Sequence, residues 1–97
     1  MSSTIRRKVT VNNREGLHAR PSSVLVRDAS RFPADFFIEY QGYRVNGKSI
    51  LGVMTLAAEH GAELELVTEG EQAAETMEHL VSLFENRFGM EESEETS

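Results

Sequence analysis

The stretch AELELVTEGEQAAETMEHLVSLFENRFG, residues 62–89, joins two different hydrophobic periods. Its first part alternates Leu64 and Leu66 with Glu63 and Glu65, which is typical of a β-strand with one buried face. After Gly70, apolar residues recur at steps of three and four, which predicts an amphipathic helix. The apolar positions of this helix are Ala73, Met77, Leu80, Val81, Phe84 and Phe88. A layer of strands packed against a layer of helices would bury both faces.

The rest of the chain carries the same two periods in shorter segments. Val9 and Val11 alternate with polar neighbours, and DFFIEY (35–40) and YRVN (43–46) predict two further strands. Helices are predicted from Pro21 to Arg31 and over SILGVMTLAAEH (49–60), the second ended by Gly61. The order β-α-β-β-α-β-α predicts an α+β fold with helices on one face of the sheet, and it leaves the strand order open.

Length and composition limit the class of protein. A chain of 97 residues suffices for one domain, which we place at 1–89, followed by an acidic tail, 90–97, whose composition is typical of disorder. The absence of cysteine excludes a disulfide framework and a thiolate metal site. No apolar run has the length of a signal peptide or a membrane span, so we expect a cytoplasmic protein without membrane insertion.

The charges are unevenly distributed along the chain. The net charge of -6 argues against nucleic acid as the main partner. Nine of the ten Lys and Arg residues lie in 1–50, and twelve of the sixteen acidic residues lie in 51–97. Two interpretations stay open: the first half steers an acidic partner to a basic surface, or the two halves interleave in space and the asymmetry has no consequence.

A histidine, an arginine and a proline stand together in EGLHARP, residues 15–21, where a strand gives way to a helix. If His18 is the N-cap, Pro21 lies in the first helical turn, where it loses no hydrogen bond. The free amides of Ala19 and Arg20, with the helix dipole, then form a site for an anion. The Arg20 guanidinium adds a charged, forked donor suited to phosphate oxygens.

This arrangement predicts a site that holds a phosphoryl group. The helix dipole disfavours a cationic ring at His18, and a neutral imidazole nitrogen can attack phosphorus. A nucleotide cradle and a pair of metal-binding carboxylates are not evident, so transfer from ATP is not expected. The alternative is that His18 only caps the helix and Arg20 is a solvated charge.

A second helix start carries a serine and an apolar surface. Ser49 follows Asn46 and Gly47 at a position where an N-cap is expected, and capping alone explains a serine there. The short helix can bury Val53, Leu56 and Ala57 against the sheet. Ile50, Leu51 and Met54 are then left near water as an apolar docking patch, unless a loop covers them.

The segments GLHARPSSVLV, KSILGVMTL and GAELELVTEG, in this order, resemble the HPr family of phosphocarrier proteins of the sugar phosphotransferase system. The likeness runs from about Val9 to Phe88. The resemblance implies an open-faced β-sandwich of four antiparallel strands covered by three helices. It also implies that His18 accepts a phosphoryl group from enzyme I, on the ring nitrogen nearer the backbone, and passes it to a sugar-specific enzyme IIA. Arg20 matches the active-site arginine of the family, and Pro21 matches its first-turn proline.

The same resemblance implies regulation and partners. Ser49 matches the regulatory serine that an HPr kinase/phosphorylase modifies, and Pro21, Ile50, Leu51 and Met54 are the expected docking residues. We expect a monomeric carrier, not an enzyme, with no cofactor and no metal. The alternatives are an HPr-like module of a nitrogen-type signalling chain, a partner of a transcription regulator, and a plain anion-binding domain.

The two other histidines are expected to have ordinary roles. His60 precedes Gly61, where a cation at a helix end stabilises the last carbonyls. His79 is predicted on the solvated face of the last helix, one turn after Glu75.

Overall fold

The computed structural model describes residues 3–90 and forms one sheet with helices on one side. The four strands are β1 (Thr4–Thr10), β2 (Asp35–Tyr40), β3 (Tyr43–Asn46) and β4 (Glu63–Glu69). The helices are α1 (Ala19–Ala29), α2 (Ile50–Thr55) and α3 (Ala73–Glu85), and a 3-10 turn follows at Arg87–Gly89. The predicted element order is confirmed.

The strand order is β1-β4-β2-β3, and each neighbouring pair is antiparallel. β1 pairs with β4 over its whole length, from Thr4 opposite Glu69 to Thr10 opposite Glu63. The α+β fold predicted from the sequence, a four-stranded antiparallel sheet covered on one face by three helices, is therefore confirmed.

The core lies between the sheet and the helices. Val9, Leu64 and Leu66 point from β1 and β4 towards the helices, and Leu25 and Met77 meet them from α1 and α3. Removing such side chains from water is the main contribution to folding, at roughly 1.5–3 kcal/mol for each large apolar side chain. The largest buried side chains also include Phe36, Ile38, Leu80 and Phe84.

The opposite face of the sheet carries paired charges. Arg6 of β1 lies 3.2 Å from Glu39 of β2 and 3.4 Å from Glu65 of β4, and Arg44 of β3 lies 3.3 Å from Glu39. β4 comes from the acidic half of the chain and lies between β1 and β2 from the basic half. On this face the two halves interleave, as the second of our two interpretations has it.

Helix α2 is shorter than predicted. It ends at Thr55, and residues 57–59 have no regular structure, so the prediction of a helix to His60 was wrong. The reason is Ala57, whose φ of 53° takes the chain out of the helical path. Ala57 is consequently exposed, and Ala58 is buried in its place.

The last helix also ends earlier than its hydrophobic period suggests. Arg87 and Phe88 both have positive φ values, 52° and 57°, and this turn brings Phe88 back into the core. The Asn13 side-chain amide donates to the Arg87 carbonyl at 3.2 Å, which ties the turn to the loop before α1. Met90, which the prediction assigned to the disordered tail 90–97, packs against the core, and the rest of that tail, 91–97, lies outside the described residues.

Candidate functional site

His18 is the N-cap of α1, as predicted. Its backbone is extended, with φ -79° and ψ -167°, its side chain makes no capping hydrogen bond, and the residue is exposed. Its carbonyl accepts the Ser22 N–H at 3.0 Å, which closes the first helical turn. Pro21, buried in this turn, has no N–H to donate, so the amides of Ala19 and Arg20 are the ones left at the helix tip.

The first turn of α1 thus has free amide donors at its tip, with His18 just before them and Arg20 within the turn. Ala19 and Arg20 are both exposed, and within residues 3–90 no carboxylate forms an ion pair with the Arg20 guanidinium. No acidic residue stands in the first turn of α1. A phosphoryl group on the His18 ring would therefore meet free amides and an available guanidinium rather than a competing carboxylate.

The loop before His18 is fixed by hydrogen bonds of Leu17. Leu17 is buried, its N–H donates to the Ala58 carbonyl at 2.9 Å, and its own carbonyl accepts the Ser22 hydroxyl at 3.2 Å. Gly16 has a φ of 79°, and a Cβ at this position would lie 2.5 Å from the Ala58 oxygen. In the sequence, the glycine at position 16 is the one feature that indicates a close backbone approach. Nothing in the sequence indicates that Ala58 is the residue approached.

Ser49 is the N-cap of α2, again as predicted. Its hydroxyl oxygen accepts the Gly52 N–H at 3.0 Å, and its backbone N–H donates to the Asn46 carbonyl at 3.2 Å. The side chain is only partly buried. A phosphoryl group added to the Ser49 hydroxyl would lie at the N-terminus of α2, close to backbone N–H donors, and such a position tolerates negative charge.

The predicted apolar patch on α2 is exposed. Leu51 exposes 75% of its surface, Ile50 43% and Met54 40%, whereas Val53 and Leu56 are buried against the core. The alternative that a loop covers the patch is wrong for the part of the chain that the structure describes. Residues this exposed and apolar are typical of a surface that contacts partners.

The prediction for His79 was wrong in its details. Its Nε2 atom lies 2.9 Å from the buried Asp28 carboxylate of α1, and its ring is tilted over Phe32 with centroids 5.5 Å apart. His79 thus links α1 to α3 instead of standing alone on a solvated face. His60 lies in a turn and caps no helix, because α2 has already ended at Thr55.

The described residues offer no metal site near His18 or Ser49, and the groove on the surface lies elsewhere. Within residues 3–90 no group of three His, Cys, Asp or Glu side chains is arranged to hold a metal ion. A groove of about 510 Å³ lies on the helix-free face, lined by Lys8, Tyr43 and Glu65 among others, and none of the predicted site residues lines it. No helix in the described part of the chain is long and apolar enough to cross a membrane.

Comparisons with known proteins agree on one family. The family model described as "PTS HPr component phosphorylation site" matches residues 5–86. The phosphocarrier protein HPr of Treponema pallidum is 46% identical over 80 residues, which cover 82% of this chain and 91% of that protein. The HPr-like protein Crh of Halalkalibacterium halodurans is 42% identical over 81 residues, covering 84% and 96% respectively.

Solved structures give the same result. A crystal structure described as HPr-C-His from Thermoanaerobacter tengcongensis superposes with a TM-score of 0.86 at 37% identity, covering 90% of this chain and 98% of that one. A structure described as an HPr dimer from the same organism superposes with a TM-score of 0.72 at 38% identity, covering 84% and 94%.

Proposed function

This chain belongs to the HPr family of the phosphotransferase system, whose members are phosphocarrier proteins and not enzymes, and from this premise we propose that His18 is its phosphoryl acceptor. An imidazole nitrogen of His18 attacks the phosphorus atom of phospho-enzyme I; the phosphorus–nitrogen bond forms as the bond to enzyme I breaks. A second transfer moves the group to a sugar-specific enzyme IIA. The carrier works in the cytoplasm, where these partners meet.

The single observation that carries this proposal is the position of His18 at the tip of α1. His18 is exposed, its ring makes no capping hydrogen bond, and the next two residues, Ala19 and Arg20, carry the free amides of the helix. The phosphoryl oxygens are stabilised by the Ala19 and Arg20 amides and by the Arg20 guanidinium. Donors fixed in place before the reaction stabilise developing charge without having to reorganise.

Docking and regulation are assigned to α2. Ile50, Leu51 and Met54 form the contact surface for enzyme I and enzyme IIA. Pro21, which was predicted with them, is buried in the first turn of α1 and does not belong to this surface. A phosphoryl group on Ser49, added by an HPr kinase/phosphorylase, places nearly two negative charges beside this surface and slows the reaction with an acidic enzyme I. The chain acts as a monomer in this cycle.

The test is labelling with phosphoenolpyruvate and enzyme I. Wild-type protein is expected to gain one acid-labile, base-stable phosphoryl group, His18→Ala is expected to gain none, and His60→Ala, which removes another exposed histidine, is expected to label as the wild type does. Full labelling of His18→Ala would refute the assignment.

A regulatory role is the second candidate, favoured by the relatives named Crh. In this role the chain belongs to a nitrogen-type signalling chain or binds a transcription regulator. Phosphorylated protein is mixed with a sugar-specific and with a nitrogen-type enzyme IIA. Rapid transfer to the sugar-specific protein supports the carrier role, and transfer only to the nitrogen-type protein supports the signalling role.

A further inference from the structure

The segment that leaves α2, residues 57–62, runs alongside the loop that leads to His18. Three backbone hydrogen bonds join the two: Val11 N–H to the Ala62 carbonyl at 2.9 Å, Gly61 N–H to the Val11 carbonyl at 2.8 Å, and Leu17 N–H to the Ala58 carbonyl at 2.9 Å. The loop from 11 to 17 is thus bound at both of its ends. The bond nearest to His18 joins Leu17 and Ala58, both of them buried.

The contact between the two segments is too close for a side chain at Gly16. An added Cβ would lie 2.5 Å from the Ala58 oxygen and 2.9 Å from the Glu59 Cα atom, and both of these are backbone atoms that cannot move aside alone. The glycine therefore permits the approach that brings the Leu17 N–H within reach of the Ala58 carbonyl. Its φ of 79° is an independent reason for glycine at this position.

The 57–62 segment begins with a residue in an unfavourable backbone conformation. Ala57 is exposed and is not a glycine, yet its φ is 53°, in the left-handed region that non-glycine residues seldom adopt. The turn at Ala57 directs the chain from the end of α2 into the 57–62 segment. Backbone strain of this kind persists where the surroundings require it, and it concentrates at functional sites.

We propose that the 57–62 segment is a positioning element for His18. The Ala58 carbonyl holds the Leu17 N–H, in the residue just before the N-cap, so that the ring and the amides of Ala19 and Arg20 keep one relative arrangement. Ala58 acts through Leu17 and touches neither the phosphoryl group nor the ring. The inference rests on the proposed function of His18, and it also joins the phosphoryl site to the end of α2, whose surface carries the docking patch.

The reason to expect a kinetic effect is geometric. Group transfer is sensitive to the placement of the reacting atom, and a misplacement of about 1 Å can lower the rate about 100-fold. Loosening the Leu17–Ala58 contact leaves the docking patch in place. The maximal rate of phosphorylation is then lowered while the concentration of the carrier at half-maximal rate stays the same.

The experiment compares Gly16→Ala with Gly42→Ala. Both glycines have positive φ, 79° and 84°, but a Cβ at Gly42 meets nothing within 4 Å. Both variants therefore carry backbone strain, and only Gly16→Ala disturbs the contact. Relative to Gly42→Ala, we expect the maximal rate with phospho-enzyme I to fall about 10- to 100-fold in Gly16→Ala, with faster hydrogen exchange of the Leu17 amide. Equal maximal rates in the two variants would overturn the proposal.

Two further measurements decide the matter if Gly16→Ala does not fold. Ala57→Val disfavours the left-handed turn and Ala57→Gly accepts it, so the valine variant is expected to be the slower of the two; equal rates overturn the proposal. In the unphosphorylated wild-type protein, a Leu17 amide that exchanges as fast as an exposed amide also overturns it. Absence of any label on His18 instead refutes the proposed function, and Leu17 exchange still reports whether the 57–62 segment holds the loop.

Discussion

At the residue scale, the phosphoryl site combines several modest interactions. A helix terminus contributes about 0.3–1 kcal/mol to an exposed charge, which cannot by itself hold a transferring group. A hydrogen bond to a charged group contributes about 1.5–3 kcal/mol. Arg20, which supplies a forked donor on the same turn, is therefore expected to have a larger effect than the dipole.

Arg20→Ala is expected to slow phosphorylation of His18 by about 10- to 100-fold, the rate equivalent of the lost hydrogen bond. The fold is expected to remain, because Arg20 is exposed. Initial rates with phospho-enzyme I and thermal unfolding are measured on the same samples. Arg44→Ala removes an equal charge from the helix-free face and serves as the control. A wild-type rate for Arg20→Ala would mean that the amides suffice.

Ser49→Ala is expected to lower the stability by about 1 kcal/mol, because the Gly52 N–H loses its acceptor. The melting temperature then falls by about 4–8 °C for a domain of this size. Ser49→Asp keeps an acceptor at the cap, so it is expected to melt near the wild type while it slows phosphorylation by enzyme I. Ser23→Ala, at an exposed position of α1, is the matched control. Unchanged melting of Ser49→Ala would contradict the capping role.

At the element scale, α1 and α3 are joined by one buried carboxylate. The Asp28 side chain exposes only 8% of its surface and accepts from His79 Nε2 at 2.9 Å and from Arg27 Nε at 3.2 Å. Burial alone would raise the pKa of Asp28, but the hydrogen bonds from His79 and Arg27, aided by their charges, outweigh it and lower the pKa below its ordinary value. The ionised form is thus favoured by the fold.

The lowered pKa of Asp28 determines in which direction the stability changes with pH. A carboxylate with a lowered pKa in the folded state stabilises the protein above the unfolded pKa of about 3.9, and the contribution is lost as the pH falls through the folded value. Asp28→Asn is therefore expected to be less stable than the wild type at pH 7, by about 1–3 kcal/mol, with the difference shrinking below pH 4. Urea unfolding at pH 7, 4 and 3 measures it.

The control for this experiment is Asp35→Asn, which changes an exposed carboxylate at the start of β2. Its stability relative to the wild type is not expected to depend on pH in the same way, because no helix contact is lost. A difference between Asp28→Asn and the wild type that stays constant from pH 7 to pH 3 would show that Asp28 acts by packing alone.

The elements that the sequence could predict are those with a local signal. Alternation identified β4, and Ser49 and His18 were predicted as N-caps from their own neighbourhoods. The end of α2 at Ala57 has no such signal, because alanine favours helix, yet φ there is 53° and the next residue, Ala58, binds the distant loop at Leu17. The pairing of His79 with Asp28 joins residues that are distant in sequence, and only the packing of two helices brings them together.

At the scale of the whole molecule, a strand exchange would compete with the closed monomer. β1 is an edge strand paired only with β4, and the loop from 11 to 17 is its hinge. Exchange of β1 between two chains would keep the β1–β4 pairs and would extend this hinge. The two bonds of Val11 continue the β1–β4 pairing and can be kept in the exchange, whereas extension of the hinge pulls its far end from Ala58 and breaks the Leu17–Ala58 bond, so that bond favours the monomer.

Wild-type protein is therefore expected to elute with the mass of one chain in size-exclusion chromatography with light scattering, over micromolar to near-millimolar concentrations. Gly16→Ala, which forces the hinge away from Ala58, is expected to show a dimer fraction that rises with concentration, whereas Gly42→Ala stays monomeric. A wild-type dimer at micromolar concentration would mean that the Leu17–Ala58 bond does not decide the assembly. A Gly16→Ala variant that stays monomeric at every concentration would mean that the β1–β4 ladder closes within one chain without help from the hinge.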